Sequence, residues 1–148
     1  MIKKLVLLIV LTIACVVPTF AQDCLVKQLR AEARGLSYQS EADYPVTVFF
    51  MAARTKRAKQ FAARTPDASH SFDDFAAQLT QAESWHGAAE TKTRKQYERV
   101  FNLMKANLHD LKVVYFKVSR SAFQVYVVGK NYCGDFVGLR MREVETGG

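Results

Sequence analysis

Three segments near the carboxyl end decide the fold: Val113-Val-Tyr-Phe-Lys-Val118, Phe123-Gln-Val-Tyr-Val-Val128 and Phe136-Val-Gly-Leu-Arg-Met-Arg-Glu-Val144. Each is β-branched and aromatic, and Arg120-Ser121 and Gly129 to Gly134 supply turns between them, so the three read as an antiparallel meander. In the last segment Val137, Leu139, Met141 and Glu143 alternate with Gly138, Arg140, Arg142 and Val144, the period of a strand with one buried face. Upstream, Tyr97, Val100, Phe101, Met104 and Leu108 step by three and four, so Glu90 to Leu108 is a long amphipathic helix. Ser71 can cap a helix carrying Phe72, Phe75, Ala76 and Leu79 that stops near Gln81, with Asp74 in its first turn. Leu25, Leu29 and Ala33 mark another helix, from Asp23 as N-cap to Arg34, closed by Gly35. Pro45 to Phe50 reads as a strand. These elements predict an α/β domain: an antiparallel sheet with flanking helices.

The amino terminus is of a different kind. Lys3 and Lys4 precede an apolar run from Leu5 to Val17, Pro18 ends it, and Thr19-Phe20-Ala21 sets small residues before Gln22. That is the tripartite pattern of a secretory signal, residues 1–21, followed by one domain at 22–148. The run is shorter than the roughly 20 apolar residues of a membrane span. A lipid anchor at Cys15 is the weaker alternative, since Thr12 stands where an aliphatic residue is preferred. The expected location is therefore the periplasm or the medium. Cleavage after Ala21 removes Cys15 and leaves Cys24 and Cys133. In an oxidising compartment such a pair reads as a disulfide, the alternative being two buried thiols.

The chain of 148 residues carries 21 basic and 14 acidic side chains, a net charge of +7. Loss of Lys3 and Lys4 reduces this to +5, and Arg54, Lys56, Arg57, Lys59 and Arg64 supply all of it within one stretch. That stretch reads as a hairpin extension or a loop. Its cations, interleaved with Phe61, suit a phosphate backbone, but runs of this size are more often solvated faces. Enzyme signatures are missing: His70, His86 and His109 stand apart without metal-ligand spacing, and no glycine-rich phosphate loop occurs. No cofactor is expected.

One segment is unusual by composition. Ser40-Glu41-Ala42-Asp43-Tyr44-Pro45 places two carboxylates and an aromatic just before a strand, and Pro45 biases Tyr44 toward extended backbone. Gly35-Leu-Ser-Tyr-Gln-Ser-Glu-Ala-Asp-Tyr-Pro45-Val resembles the S-E-S-[DE]-Y-P-F signature of the nuclease A inhibitor family. Further matches follow in order. Ser71-Phe-Asp-Asp-Phe75 resembles the family's D-S-F-F region, with Trp85 at about the expected distance, and Lys105-Ala-Asn-Leu108 resembles I-K-S-N-L. Val125-Tyr-Val-Val-Gly129 resembles D-V-Y-V-I-G, Gly134-Asp-Phe-Val-Gly-Leu139 resembles G-N-L-A-G-I, and Val144-Glu-Thr146 resembles the terminal V-E-T.

The resemblance implies an α/β/α sandwich similar to plant pathogenesis-related proteins, and a protein inhibitor of a metal-dependent, sugar-nonspecific nuclease. It implies that Glu41 reaches the nuclease's catalytic magnesium, a hard cation that takes oxygen ligands. It also implies that Asp43, Tyr44, Trp85 and Thr146 lie in the contact surface, with Trp85 as an aromatic anchor. The implied partner is a nuclease, bound by a monomer, and not nucleic acid. Three departures stand out. Gly147-Gly148 extends past Thr146, Ser84 replaces an acidic residue before Trp85, and the basic charge opposes the acidic character expected of a ligand for a nucleic-acid cleft.

Overall fold

The computed structural model describes residues 19–39, 43–81 and 87–145. The proposed signal core, the 40–42 segment with Glu41, the segment with Trp85, and Thr146 fall outside them. Helix α1 spans Thr19–Glu32, and strands β1 (Ser37–Gln39), β2 (Asp43–Pro45) and β3 (Thr47–Met51) follow. Next come α2 (Lys56–Ala63), β4 (Ala68–Ser71), α3 (Phe72–Thr80) and α4 (Ala88–Asn107). The meander closes the chain as β5 (His109–Ser119), β6 (Ala122–Lys130) and β7 (Phe136–Val144). The sheet is antiparallel with strand order β3-β7-β6-β5-β4, and β1 pairs with β2 as a separate hairpin. This is an α/β fold. Among the described residues no helix is long and apolar enough to cross a membrane.

The sheet has a core on each face. On one, Leu29, Tyr97, Val100 and Met104 from α1 and α4 and Phe72 and Phe75 from α3 pack on Val113, Val125, Val127, Val137, Leu139 and Met141. Most of these are fully buried, each contributing roughly 1.5–3 kcal/mol of transfer free energy. On the other face Ala58 and Phe61 of α2 pack on Phe49, Met51, Val114, Phe116, Tyr126, Val128 and Phe136. Phe61 is its hub, with ring centroids 5.1 to 6.2 Å from those of Phe49, Phe116, Tyr126 and Phe136. So β7 is buried on both faces at its Phe136 end, and the expected one-sided alternation holds only beyond it, where Arg140 and Arg142 are exposed.

Several local readings are corrected. The basic stretch is neither hairpin nor loop but helix α2, started by Thr55, whose Oγ1 accepts the Ala58 N–H at 3.2 Å. Its inward residues, Ala58 and Phe61, are one helical turn apart. Helix α1 begins before Asp23, which lies inside it and is not its cap. Gly35 does close that end, at φ +77°, a conformation natural to glycine. The single strand expected from Pro45 to Phe50 breaks at Val46, whose N–H turns to the Leu36 carbonyl at 2.9 Å. Pro45 therefore pairs with Ser37, whereas Thr47 pairs with Arg140. Ser71 caps α3 as expected, accepting the Asp74 N–H at 3.3 Å.

Cys24 and Cys133 are not bonded to each other, which corrects the expected disulfide. Cys24 lies on the exposed side of α1, opposite Leu25 and Leu29, with its Sγ 3.5 Å from Gln28 Nε2. Cys133 belongs to a turn fixed by buried Asn131. The Asn131 Oδ1 accepts the N–H groups of Cys133 and Asp135 at 3.0 and 2.9 Å, and its Nδ2 donates to Asp135 Oδ2 at 3.0 Å. Asp135 Oδ1 then accepts the Ala53 N–H at 2.7 Å, binding this turn to the start of the α2 segment.

Candidate functional site

The acidic segment sits on the β1–β2 hairpin. Register partners Tyr38 and Tyr44, then Gln39 and Asp43, lead to the connection that contains Glu41. Asp43 is exposed and Tyr44 half-buried. The Arg142 guanidinium of β7 stands 5.3 Å from the Tyr44 ring centroid, a cation–π contact that ties the hairpin to the last strand. From the neighbouring strand β1 Tyr38 enters the core, stacked on Phe75 of α3 with ring centroids 6.1 Å apart.

Three further contacts fix the hairpin's base. The Tyr97 hydroxyl of α4 donates to the Ser37 carbonyl at 2.8 Å. Gln96 Nε2 donates to the carbonyls of Glu32 and Arg34 at 2.6 and 2.9 Å, and Arg99 Nε donates to Glu32 Oε2 at 2.9 Å. The turn between α1 and β1 is thus clamped on the middle of α4. A groove of about 560 Å³ opens beside it, lined by Arg30, Arg34, Ser37, Asp43 and Thr47 among others.

Under the hairpin lies a polar cluster. The Tyr38 hydroxyl, the Tyr115 hydroxyl and the Glu143 carboxylate face one another there. Burial pushes the Tyr115 phenol up to about 12 and raises Tyr38 further, each assisted by the Glu143 charge. The Glu143 carboxyl is raised from the ordinary carboxylate range, first by burial and then by Glu145, with His70 and Tyr38 opposing. His70, whose ring is edge-on to Tyr115 at 5.1 Å, closes the cluster. Next along the chain, the Glu145 N–H donates to the Ser121 carbonyl at 2.8 Å, so the residue before Thr146 is anchored.

Of the residues expected at the site, the structure brings Asp43 and Tyr44 together on the hairpin and holds them against β7. Glu41, Trp85 and Thr146 lie outside the described residues. Tyr44 is three residues from Glu41, and its partner Arg142 is four from Thr146. Trp85 lies between Gln81 of the α3 end and Gly87 of the α4 start. Tyr97 is ten residues beyond Gly87, about 15 Å along a helix. Sequence reasoning missed Tyr38, Tyr97, Tyr115 and Arg142. Tyr97 left a signal only as a core residue of the α4 stripe, and Arg142 and Glu143 only through their places in the alternation of β7.

Arg54, Lys56, Arg57, Lys59 and Arg64 are exposed, and none forms an ion pair with a described residue. Among the described residues no group of histidines, cysteines and carboxylates could hold a metal ion.

The family profile of nuclease A inhibitor-like proteins matches residues 23–146. No curated protein matches the chain. The match covers most of the sequence, and the chain belongs to the nuclease A inhibitor-like family.

Proposed function

We propose that this chain is an exported inhibitor that enters and blocks the active site of a metal-dependent, sugar-nonspecific nuclease. The observation that carries the reading is the family match over 23–146, which includes the hairpin connection, the Trp85 segment and Thr146. The hairpin's construction supports it. Its strands are held by three contacts, those of Tyr97, Tyr38 and Arg142, so little ordering entropy is left to lose on binding.

In this reading Glu41 is the central residue. A carboxylate suits a magnesium site because the ion takes oxygen ligands and keeps exchangeable waters. It occupies the place of the scissile phosphate and offers no bond to cleave. Asp43 and Tyr44 follow it in the chain, Trp85 supplies contact area, and Thr146, two residues beyond β7 in sequence, adds to the contact surface. The inhibitor acts as a monomer and without a cofactor of its own. Export follows from the segment 1–21, and amino-terminal sequencing of the exported protein should begin at Gln22.

Inhibition assays with melting temperatures test the site. Glu41→Gln should weaken inhibition of a cognate nuclease by on the order of 2 kcal/mol or more, as for truncation of an interfacial charge. Asp43→Asn should matter less. Trp85→Ala should lose contact area without loss of fold. Unchanged inhibition in Glu41→Gln, against a nuclease that the parent blocks, overturns this role for Glu41. The rival function, a nucleic-acid-binding module built on residues 54–64, requires binding that weakens steeply with salt and is abolished when those five cations are neutralised. A gel-shift titration at two salt concentrations separates the two.

A further inference from the structure

The face of the sheet that carries α2 holds a cationic cavity away from the hairpin. It measures about 130 Å³ and is lined by Phe61, Arg64, Lys112, Phe116, Lys130 and Phe136 with their neighbours. An adjoining cavity of about 200 Å³ shares Lys112, Lys130 and Phe136. We propose that this cavity binds a terminal phosphate group, a phosphate monoester, through Arg64, Lys112 and Lys130. The inference does not depend on the inhibitor reading.

The three cations reach one place from separate elements. Lys112 is opposite Val128 across β5 and β6, and Lys130 is two residues further along the same face. Arg64 arrives from the end of α2, its guanidinium 4.0 Å from the Phe116 ring centroid. Stacking on a buried ring presents the guanidinium edge, with its forked N–H donors, to an incoming oxyanion. The Arg64 N–H also closes the carbonyls of Gln60 and Phe61 at 3.1 and 3.3 Å, which weakens the negative end of α2 there. Lys130 Nζ stands 5.7 Å from the Phe136 centroid. One carboxylate borders the site: Asp110 lines the adjoining cavity, 3.9 Å from Lys130 Nζ and 3.3 Å from His109 Nδ1. Among the described residues no carboxylate lines the smaller cavity.

Size selects the ligand. Pockets for drug-sized molecules run to about 300–1,000 Å³, so the smaller cavity suits a single oxyanion and the adjoining one the group attached to it. Three positive groups suit the dianionic monoester better than the singly charged diester of a strand interior. The ligand is thus a free nucleotide or the phosphorylated end of a strand, two sources of one chemistry.

The test is an amide-shift titration of the exported chain with adenosine monophosphate, a short 5′-phosphorylated oligonucleotide and the same strand without the phosphate. The two phosphorylated ligands should perturb residues around Arg64, Lys112 and Lys130, with dissociation constants of about 1 mM or tighter. Whichever of them binds more tightly identifies the source. Lys112→Gln with Lys130→Gln should weaken binding about tenfold, and Lys130→Arg should retain it. Lys56→Gln with Lys59→Gln, on the outer side of α2, should change it by less than about twofold. Absence of perturbation at these residues, equal binding of the unphosphorylated strand, or an equal loss in the Lys56/Lys59 variant would overturn the proposal.

Discussion

Tyr97→Phe isolates the hydroxyl that pins the hairpin. Tyr97 is 1% exposed, and its ring stacks on Phe101 with centroids 5.6 Å apart. The substitution keeps that packing and removes the bond to the Ser37 carbonyl. A neutral hydrogen bond contributes about 0.5–1.5 kcal/mol, and the stranded carbonyl places this one toward the upper end. For a domain of this length, about 1 kcal/mol lowers the melting temperature by roughly 3–5 °C. Burial raises the Tyr97 phenol above its ordinary value, so the hydroxyl keeps its proton at every pH below about 10. The bond's contribution is therefore fully present there and is lost only at more alkaline pH, so the deficit should be constant between about pH 5 and 9. Gln96 still holds the carbonyls of Glu32 and Arg34, so the loosening is confined to the hairpin. Urea melts give the global loss, and amide exchange locates it. Tyr38, Tyr44 and Val46 should exchange faster by more than the global change, whereas β6 amides should follow the global change alone. A uniform acceleration, or a loss below about 0.3 kcal/mol, would refute the hairpin clamp.

Other perturbations address other parts of the fold. A Cβ at Gly138 would stand 1.9 Å from the Val127 carbonyl oxygen and 3.0 Å from Val128 Cα, all backbone of the central strand; Gly138→Ala should cost more than about 4 kcal/mol or prevent folding, seen as loss of a cooperative melt. Phe61→Ala removes a half-buried ring from four aromatic contacts and should cost about 2–4 kcal/mol in urea unfolding, with α2 amides losing protection first. The Glu143 carboxyl is raised in the folded state, so the fold binds its proton more tightly than the unfolded chain does and stability falls as pH rises past the ordinary carboxyl range. Glu143→Gln should flatten that slope in melting temperature against pH, standing above the parent at pH 7 and meeting it near pH 4.

The legible parts of this fold are those whose packing obeys one period. Strands β5, β6 and β7 announce themselves through β-branched and aromatic runs, and α4 through Tyr97, Val100, Phe101 and Met104, because each buries a continuous stripe. Strand β4 does not: Ala68–Ser71 is exposed throughout and pairs only as an edge, so its residues answer to no core. Helix α2 escapes for the opposite reason. Ala58 and Phe61 are too few to set a period, and the decisive partners of Phe61 lie on four strands distant in sequence. The site was legible as composition, since Glu41, Asp43 and Tyr44 stand together before Pro45. Its supports were not, because Tyr38, Tyr115 and Glu143 meet only after the sheet forms. The thiols mislead for the same kind of reason: an even count suggests a bridge, whereas the Asn131 turn that holds Cys133 is set by hydrogen bonds across five residues.

Net charge is a further case in which placement decides. An inhibitor of a nucleic-acid cleft is expected to be acidic, yet the chain without its first 21 residues carries +5. The cations responsible, Arg54 to Arg64, lie on α2 and its flanks, against the face of the sheet opposite the core that seats Tyr38. Exposed charges more than about 8–10 Å apart are largely screened at physiological ionic strength, so these scarcely register at the hairpin. The charges near it are mixed: Asp43, Glu143 and Glu145, with Glu41 on the connection, against Arg30, Arg34 and Arg142. Such a patch neither attracts nor repels a basic cleft strongly. Association with a cognate nuclease should therefore run at an unsteered rate, about 10⁵–10⁷ M⁻¹s⁻¹, and affinity should reside in slow dissociation. Stopped-flow association at 50 and 500 mM salt should differ by less than about threefold. An association rate near 10⁹ M⁻¹s⁻¹ at low salt, falling steeply as salt rises, would mean that acidic steering governs the encounter and that this placement of charge is wrong.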